Sequence, residues 1–301
     1  MTIQNMYEPK CLFCNNNDNA VILYNPTITL KQIKAEFVST RARNNFNHYR
    51  ILKCKKCNLI YSNPVLDEEE LAKLYKDSST DSYSKDNFNA AKIYFSYFKK
   101  FIKDKNKSIL EIGCGNGDFL KILFNNNYYN IYGLEPAKLN LSLLDNSLKE
   151  RIINKTFSNK LFSEKSFDVI CAFMVLEHIL KPDKFLIDCR NILKSDGCII
   201  LVVHNINSYL TFLLGEKNPI INLGHIYYFS PQTIKKILTI TGYKNIKIYS
   251  MKNTYTLNYW IEMLPLNFFY KNIAIKTLKK FQLNNIELSF KVGNLFIYAE
   301  R

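Results

Sequence analysis

Arginine is scarce in this sequence. Only six of the 41 basic residues are arginine (Arg41, Arg43, Arg50, Arg151, Arg190 and Arg301), although the formal net charge is +15 over 301 residues. Readout of base edges in nucleic acids leans on arginine forks. The lysines are dispersed with no dense basic tract, so the charge predicts a generically basic surface rather than a nucleic-acid footprint. Long apolar runs are also missing: none reaches the length of a membrane span, and the opening "MTIQNMYEPKCLFC" lacks the apolar core of a signal peptide. Both absences predict a cytoplasmic protein. Histidine is limited to His48, His178, His204 and His225, which leaves few imidazoles for proton transfer. No internal repeat or low-complexity linker interrupts the chain, whose length suffices for one large core and a small appendage.

What is present is unevenly placed. Eight cysteines without a secretory signal argue against a disulfide framework. Four of them form two knuckles, Cys11-x2-Cys14 and, 39 residues later, Cys54-x2-Cys57. Two such turns can close a tetrahedron of thiolates around an ion, and with no position left open the ion is expected to be structural zinc. Residues 1–66 are therefore predicted to be a zinc-binding module of short strands. Residues 67–106 read as a helical linker or cap, with Asp67 as the N-cap of a helix whose first turn is acidic.

From residue 107 short apolar runs alternate with helical spacing: "SILEIG", "NIYGLEP", "SFDVICAFM" and "GCIILVVHN" read as strands, with helices between them. That alternation predicts an α/β fold, a doubly wound, mostly parallel sheet covered on both faces. "KNIKIYSM" and "GNLFIYAER" predict an antiparallel C-terminal finish, separated by a long helical stretch. The domain is placed at 107–301, with substrate-side insertions around 206–224 and 252–290.

"SILEIGCGNGDFL", residues 108–120, places Gly113, Gly115 and Gly117 between a strand and a helix, with Glu111 at the entrance. A dinucleotide site would want its third glycine where Asp118 stands, and an acid there is unfavourable beside a pyrophosphate. A ligand with a ribose and positive charge fits better. Glu135, at the end of "YGLEP", sits where an acid can accept ribose hydroxyls.

"LEIGCGNGDFL", "YGLEP", "FDVICAFMVLEHILKPDKFL" and "RNILKSDGCIILVVHN" resemble, in order and spacing, the motifs of class I S-adenosylmethionine-dependent methyltransferases, a Rossmann-like fold. "GHIYYFSPQTIKKILTITGYKNIKI" resembles the segment before that family's last strands. The resemblance implies that Glu111, Gly113, Gly115 and Gly117 line the methionine and ribose side of S-adenosyl-L-methionine and that Glu135 holds the ribose. It further implies Phe157 and Phe173 near adenine or the reacting methyl, and Tyr83 closing over the cofactor. The stretch after the knuckles, "YRILKCKKCNLIYSNPVLDEEELAKLY", resembles the zinc module of a bacterial subset tied to sugars and polysaccharides.

The expected activity is methyl transfer to a hydroxyl or amine of a sugar, nucleotide-sugar or glycan precursor. An RNA methyltransferase and a non-catalytic zinc-anchored binding module are the alternatives. In the motif "LEHILKP", His178 is the expected general base with Glu177 orienting it, and His225 is the second choice. His48 is expected at the surface or within the zinc module.

Overall fold

A computed structural model describes residues 5–28, 46–77, 85–139, 144–264 and 266–301. In chain order the N-terminal strands are β1 (Met6–Tyr7), β2 (Ala20–Tyr24), β3 (Ile51–Cys54), β4 (Ile60–Ser62) and β5 (Val65–Leu66), followed by helices α1 (Glu68–Asp77) and α2 (Lys85–Phe98). Next come β6 (Ile109–Ile112), α3 (Asp118–Asn125), β7 (Ile131–Leu134), β8 (Ile152–Ile153), β9 (Phe167–Phe173), α4 (Pro182–Ile192) and β10 (Leu193–His204). The last third holds α5 (Tyr209–Leu214), β11 (Tyr227–Tyr228), α6 (Pro231–Ile240), β12 (Lys244–Ser250), β13 (Asn253–Thr256), α7 (Leu257–Met263), α8 (Phe268–Lys280), β14 (Glu287–Phe290) and β15 (Asn294–Glu300). The Asp67 side chain accepts the Glu70 N–H at 2.9 Å and so starts α1.

The large sheet has seven strands in the order β12-β15-β10-β9-β6-β7-β8. Strands β6 to β10 pair in parallel, while β15 runs antiparallel to both β10 and β12. Alternate residues of its central strands feed two cores, because side chains point to opposite faces along a strand. Leu110, Ile170 and Leu201 pack under α4 and α6 with Phe185, Leu186 and Ile237. Ile109, Val169 and Ile200 pack under α2 and α3 with Phe98, Phe119 and Leu123. Topology, antiparallel edge and double cover are those of the Rossmann-like fold expected from the alternating pattern.

A second sheet, β11-β4-β3-β2, carries the cysteine knuckles. Its outer strand β11 comes from residues 227–228, far along the chain, and pairs antiparallel with β4. Ile51 and Ile60 from the N-terminal strands share a small core with Ile206, Ile221 and Tyr228. The N-terminal strands and the segment after β10 are thus built into one another.

Two expectations need correction, and a third is narrowed. The helix read over 137–148 is, among the described residues, a single 3-10 turn at Asn146–Leu148 started by the Asp145 side chain. The long helical stretch before the last strand is flanked by a hairpin of distant halves, β13 against β14, with α7 and α8 between them. His48 is fully buried, its ring Nδ1 bonded to the Tyr49 carbonyl at 2.7 Å, so within the module it is a core residue and not a surface one.

Candidate functional site

The glycine turn sits at the carboxyl end of β6, where a doubly wound sheet opens to a ligand. Its backbone is pinned to the neighbouring strand by Gly113 and Cys114 N–H bonds to the Leu134 carbonyl, at 2.7 and 3.1 Å. Gly113 and Gly115 both adopt positive φ, +75° and +54°, which side chains resist. They differ in what surrounds them. A Cβ on Gly113 would stand 2.5 Å from Val175 Cγ2, whereas one on Gly115 would meet nothing within 4 Å. Gly113 is needed for packing and Gly115 faces open space.

Two carboxylates flank that space. Glu135 accepts the Gly115 N–H at 2.8 Å through Oε2 and the Ala137 N–H at 2.9 Å through Oε1, fixing the turn. Burial raises its carboxyl above the usual range and those two N–H groups pull it back. Glu111 is 4% exposed, and its Oε2 is buried with no hydrogen-bond partner among the described residues. Burial, with Asp118 and Glu135 nearby, pushes its carboxyl well up. A buried acceptor without a partner costs stability, so the site is built to receive a donor. That chemistry fits S-adenosylmethionine: an ammonium for Glu111, ribose hydroxyls for the lone pairs Glu135 has left, and bare backbone at Gly115.

The second half of the cleft gathers three of the four histidines. The His178 and His225 rings lie 4.7 Å apart and the His204 and His225 rings 5.2 Å apart. His178 follows β9, His204 ends β10 and His225 precedes β11, so only the sheet order brings them together. His178 Nδ1 lies 2.7 Å from the Gly224 carbonyl and His225 Nδ1 lies 2.7 Å from the Ile220 carbonyl. A carbonyl only accepts, so each Nδ1 carries the proton and Nε2 is the acceptor nitrogen. Burial lowers His178 and His204 to about 4 and drives His225 well below the usual imidazole range. All three are neutral at neutral pH.

Glu177 does not play the orienting part expected of it. Its Oε1 accepts the His204 backbone N–H at 2.7 Å, its Oε2 is buried without a hydrogen-bond partner among the described residues, and the His178 ring Nδ1 meets the Gly224 carbonyl instead. Burial raises the Glu177 carboxyl to about 7, with the His204 and Glu177 N–H groups opposing.

Of the two phenylalanines expected beside the cofactor, Phe173 lies at the cleft end of β9, with Phe119 and Tyr94 each 4.8 Å away. Phe157 packs on Phe185 at 5.3 Å, against the core under α4, and is not brought beside Phe173. Tyr83 lies outside the described residues. Sequence reasoning passed over Tyr94, Asn253, Tyr255 and Asn294. Tyr94 lies in α2, within the stretch read only as a helical linker or cap, and the other three belong to strands whose partners are distant in sequence.

At the other sheet the four sulfurs of Cys11, Cys14, Cys54 and Cys57 lie within 4.8 Å of one another. Each knuckle is closed the same way. Asn15 donates to the Cys11 carbonyl and Asn58 to the Cys54 carbonyl, both at 2.8 Å. The two asparagines adopt φ of 55° and 59°, a left-handed conformation that asparagine tolerates. Four convergent sulfurs, with no further ligand among the described residues, fit tetrahedral zinc. Burial pushes Cys11 up to about 11. At Cys54 burial is outweighed by backbone bonds, chiefly from Cys57, which bring it down to about 7.

The sheet order, the glycine turn and its flanking carboxylates define a Rossmann-like, S-adenosylmethionine-dependent methyltransferase. A family model described as a methyltransferase domain matches residues 87–248, more than half of the 301-residue chain, and the chain belongs to that family. Over 152 residues it is 26% identical to a tRNA U34 carboxymethyltransferase of Vibrio vulnificus (strain YJ016), covering 48% of this chain and 47% of that protein. Over 127 residues it is 28% identical to the mitochondrial ubiquinone biosynthesis O-methyltransferase of Dictyostelium discoideum, covering 36% of this chain and 40% of that one. The chain spans about half the length of the first of these relatives, 47%. A SAM-dependent methyltransferase from Archaeoglobus fulgidus has a known structure that aligns with a TM-score of 0.47 at 17% identity, over 78% of this chain and 100% of that one. No helix among the described residues is long and apolar enough to cross a membrane.

Proposed function

We propose that the protein moves a methyl group from S-adenosylmethionine to a hydroxyl or amine of a sugar, nucleotide-sugar or glycan-precursor metabolite. The observation that carries the cofactor half is the pairing of open space at Gly115 with the unpartnered, buried Glu111 Oε2. The sugar half rests on the resemblance of residues 49–75 to the module found in the sugar-associated subset. S-adenosylmethionine, when bound, supplies a methyl activated by its sulfonium. The chain's own task is alignment and, where the acceptor carries a proton, its removal. In this reading Gly113 and Gly117 hold the turn, Gly115 lets backbone approach the ligand, Glu111 takes the ammonium and Glu135 the ribose.

For the proton, Glu177 replaces His178 as first choice. A base works best with a pKa near the operating pH, and burial puts Glu177 at about 7 and His178 at about 4. His178 and His225 then serve as neutral acceptors that position the substrate. Cys11, Cys14, Cys54 and Cys57 hold a structural zinc ion in a module over residues 1–66. Residues 67–106 form a cap, and residues 107–301 the catalytic domain.

RNA is a second reading, favoured by the net charge of +15 and by the tRNA-modifying names of several relatives. One screen separates them: labelled methyl transfer to a nucleotide-sugar panel and to unmodified tRNA, in parallel. Labelled nucleotide-sugar supports the first reading. Labelled tRNA, with binding that weakens steeply in salt, replaces it with the second.

A further inference from the structure

We propose that the acceptor substrate presents an amine, held as its ammonium by Glu177 and Asn253 and walled by Tyr94, Tyr255 and Tyr259, so that the protein is an N-methyltransferase. This rests on the methyltransferase reading above and names the acceptor's chemistry.

Buried oxygens with no hydrogen-bond partner among the described residues include Glu111 Oε2, Glu177 Oε2 and Asn253 Oδ1. Ionised, the two carboxylates only accept, as the amide oxygen always does. Glu177 is 1% and Asn253 5% exposed. Once Glu111 is given to the cofactor, a carboxylate oxygen and an amide oxygen remain. They belong to one connected structure. Glu177 accepts the His204 N–H at 2.7 Å, His204 Nδ1 meets Asn294 Oδ1 at 3.0 Å, and the Asn294 carbonyl accepts the Met251 N–H at 2.8 Å, two residues before Asn253. Asn253 also donates to the Tyr255 hydroxyl at 3.3 Å.

The wall is aromatic. The Tyr255 and Tyr259 rings lie 4.2 Å apart, and Trp260 is 5.4 Å from Tyr255. Tyr94 reaches in from α2, its ring 4.8 Å from Phe173, and α2 is tied to the β13–β14 hairpin by the Asn89 to Glu287 bond at 3.2 Å. Burial pushes the Tyr94 hydroxyl well up, and Tyr255, Tyr259, Glu177 and Glu111 add to that rise.

A hydroxyl acceptor brings one proton and no charge, which would leave a carboxylate buried and uncompensated. An ammonium brings three donors and the positive charge that a buried carboxylate and tyrosine faces both favour. For reaction the ammonium gives one proton to the Glu177 carboxylate. The freed nitrogen lone pair forms the N–C bond as the C–S bond breaks, its electron pair staying on sulfur. The products are an N-methylammonium, a protonated Glu177 and neutral S-adenosylhomocysteine.

The single tryptophan, Trp260, reports on this wall. The full-length protein loaded with S-adenosylhomocysteine is titrated with benzylammonium and with benzyl alcohol while its fluorescence is followed. We expect saturable binding of the cation at least roughly tenfold tighter than the alcohol, with that preference lost in Glu177→Gln. Should that variant fail to fold, Tyr255→Leu must weaken the cation's binding. Equal affinities, no saturable binding, or a preference that survives Glu177→Gln would overturn the inference. Calorimetry with S-adenosylhomocysteine reads the underlying assignment separately. Heat of binding without a cation preference removes the amine alone, and absence of heat removes both.

Discussion

The two sheets of this protein each crowd together groups that repel one another when ionised, and they resolve the conflict differently. In the N-terminal sheet four sulfurs converge within 4.8 Å, closed by two matching turns. In the large sheet Glu111, Glu135 and Glu177 are spread along the strand ends, and two of them keep a buried oxygen without a hydrogen-bond partner among the described residues. A convergent, closed set suits a resident ion that contributes folding energy. A dispersed, unsatisfied set suits ligands that come and go. The lesson is that burial of like charges does not by itself mark catalysis; what is left unsatisfied does.

The regions are also joined. Ser62 in β4 donates its N–H to the Ile226 carbonyl at 2.8 Å and its hydroxyl to the His225 carbonyl at 3.0 Å, and Ile226 N–H bonds the Glu177 carbonyl at 2.8 Å. The cysteine sheet therefore buttresses the backbone that carries His225 and Glu177.

The sharpest way to break the comparison is to empty the first region. Metal analysis is expected to find one zinc per chain, and chelation or Cys54→Ser should remove it along with binding energy on the order of 10 kcal/mol. An unchanged thermal melt after either treatment would show that the sulfurs hold no structural ion.

Next in size is the glycine pair. Gly113→Ala meets both a left-handed backbone and Val175 Cγ2 at 2.5 Å, and should cost roughly 2–4 kcal/mol in denaturant melts. Gly115→Ala meets only the backbone term, about 1–2 kcal/mol, yet should abolish binding of S-adenosylhomocysteine by calorimetry. If the second variant bound normally, the open space at Gly115 would not be the cofactor's.

Acidity separates the two proton acceptors. With Glu177 at about 7, kcat/KM should fall as pH drops below 7, because the carboxylate is then protonated, and the fall should vanish in Glu177→Gln. An acid limb near 4 would return the role to His178. Stability moves with the histidines. In the unfolded chain they take up protons below about 6.5, whereas folded His178 and His204 wait until about 4. Their contribution is fully present above about 6.5 and is lost as pH falls towards 4, at most roughly 3 kcal/mol for each ring. Melts of His204→Gln across that window should lose less than the parent does.

The smallest effect is at the joint. Ser62→Ala removes one buried hydroxyl bond, worth about 1 kcal/mol, and should lower the melting point slightly while leaving zinc content intact. A loss of zinc would mean that the buttress supports the module and not the reverse.

Much of this was legible in the residues. The strand–turn–helix of "SILEIGCGNGDFL", the paired knuckles and the Asp67 cap are local, written within a few positions of one another, and short-range physics reads them directly. Glu177 was found by motif, but its task was misjudged, since its partner is a backbone N–H 27 residues later. Phe157 and Phe173 were both expected by the cofactor, near adenine or the reacting methyl, and they pack towards opposite faces of the sheet. The hairpin of β13 and β14 was hidden because its halves are separated by two helices.

By itself, then, the sequence determined the doubly wound, mostly parallel class of sheet with its antiparallel finish and both kinds of turn, since each is encoded by periodicity, glycine and cysteine spacing at short range. Only the tertiary structure decided that three histidines meet, that β11 completes the cysteine sheet, and that Tyr94 packs on Phe173. Those neighbours come from segments far apart in the chain, and only the order of strands in the sheets gathers them.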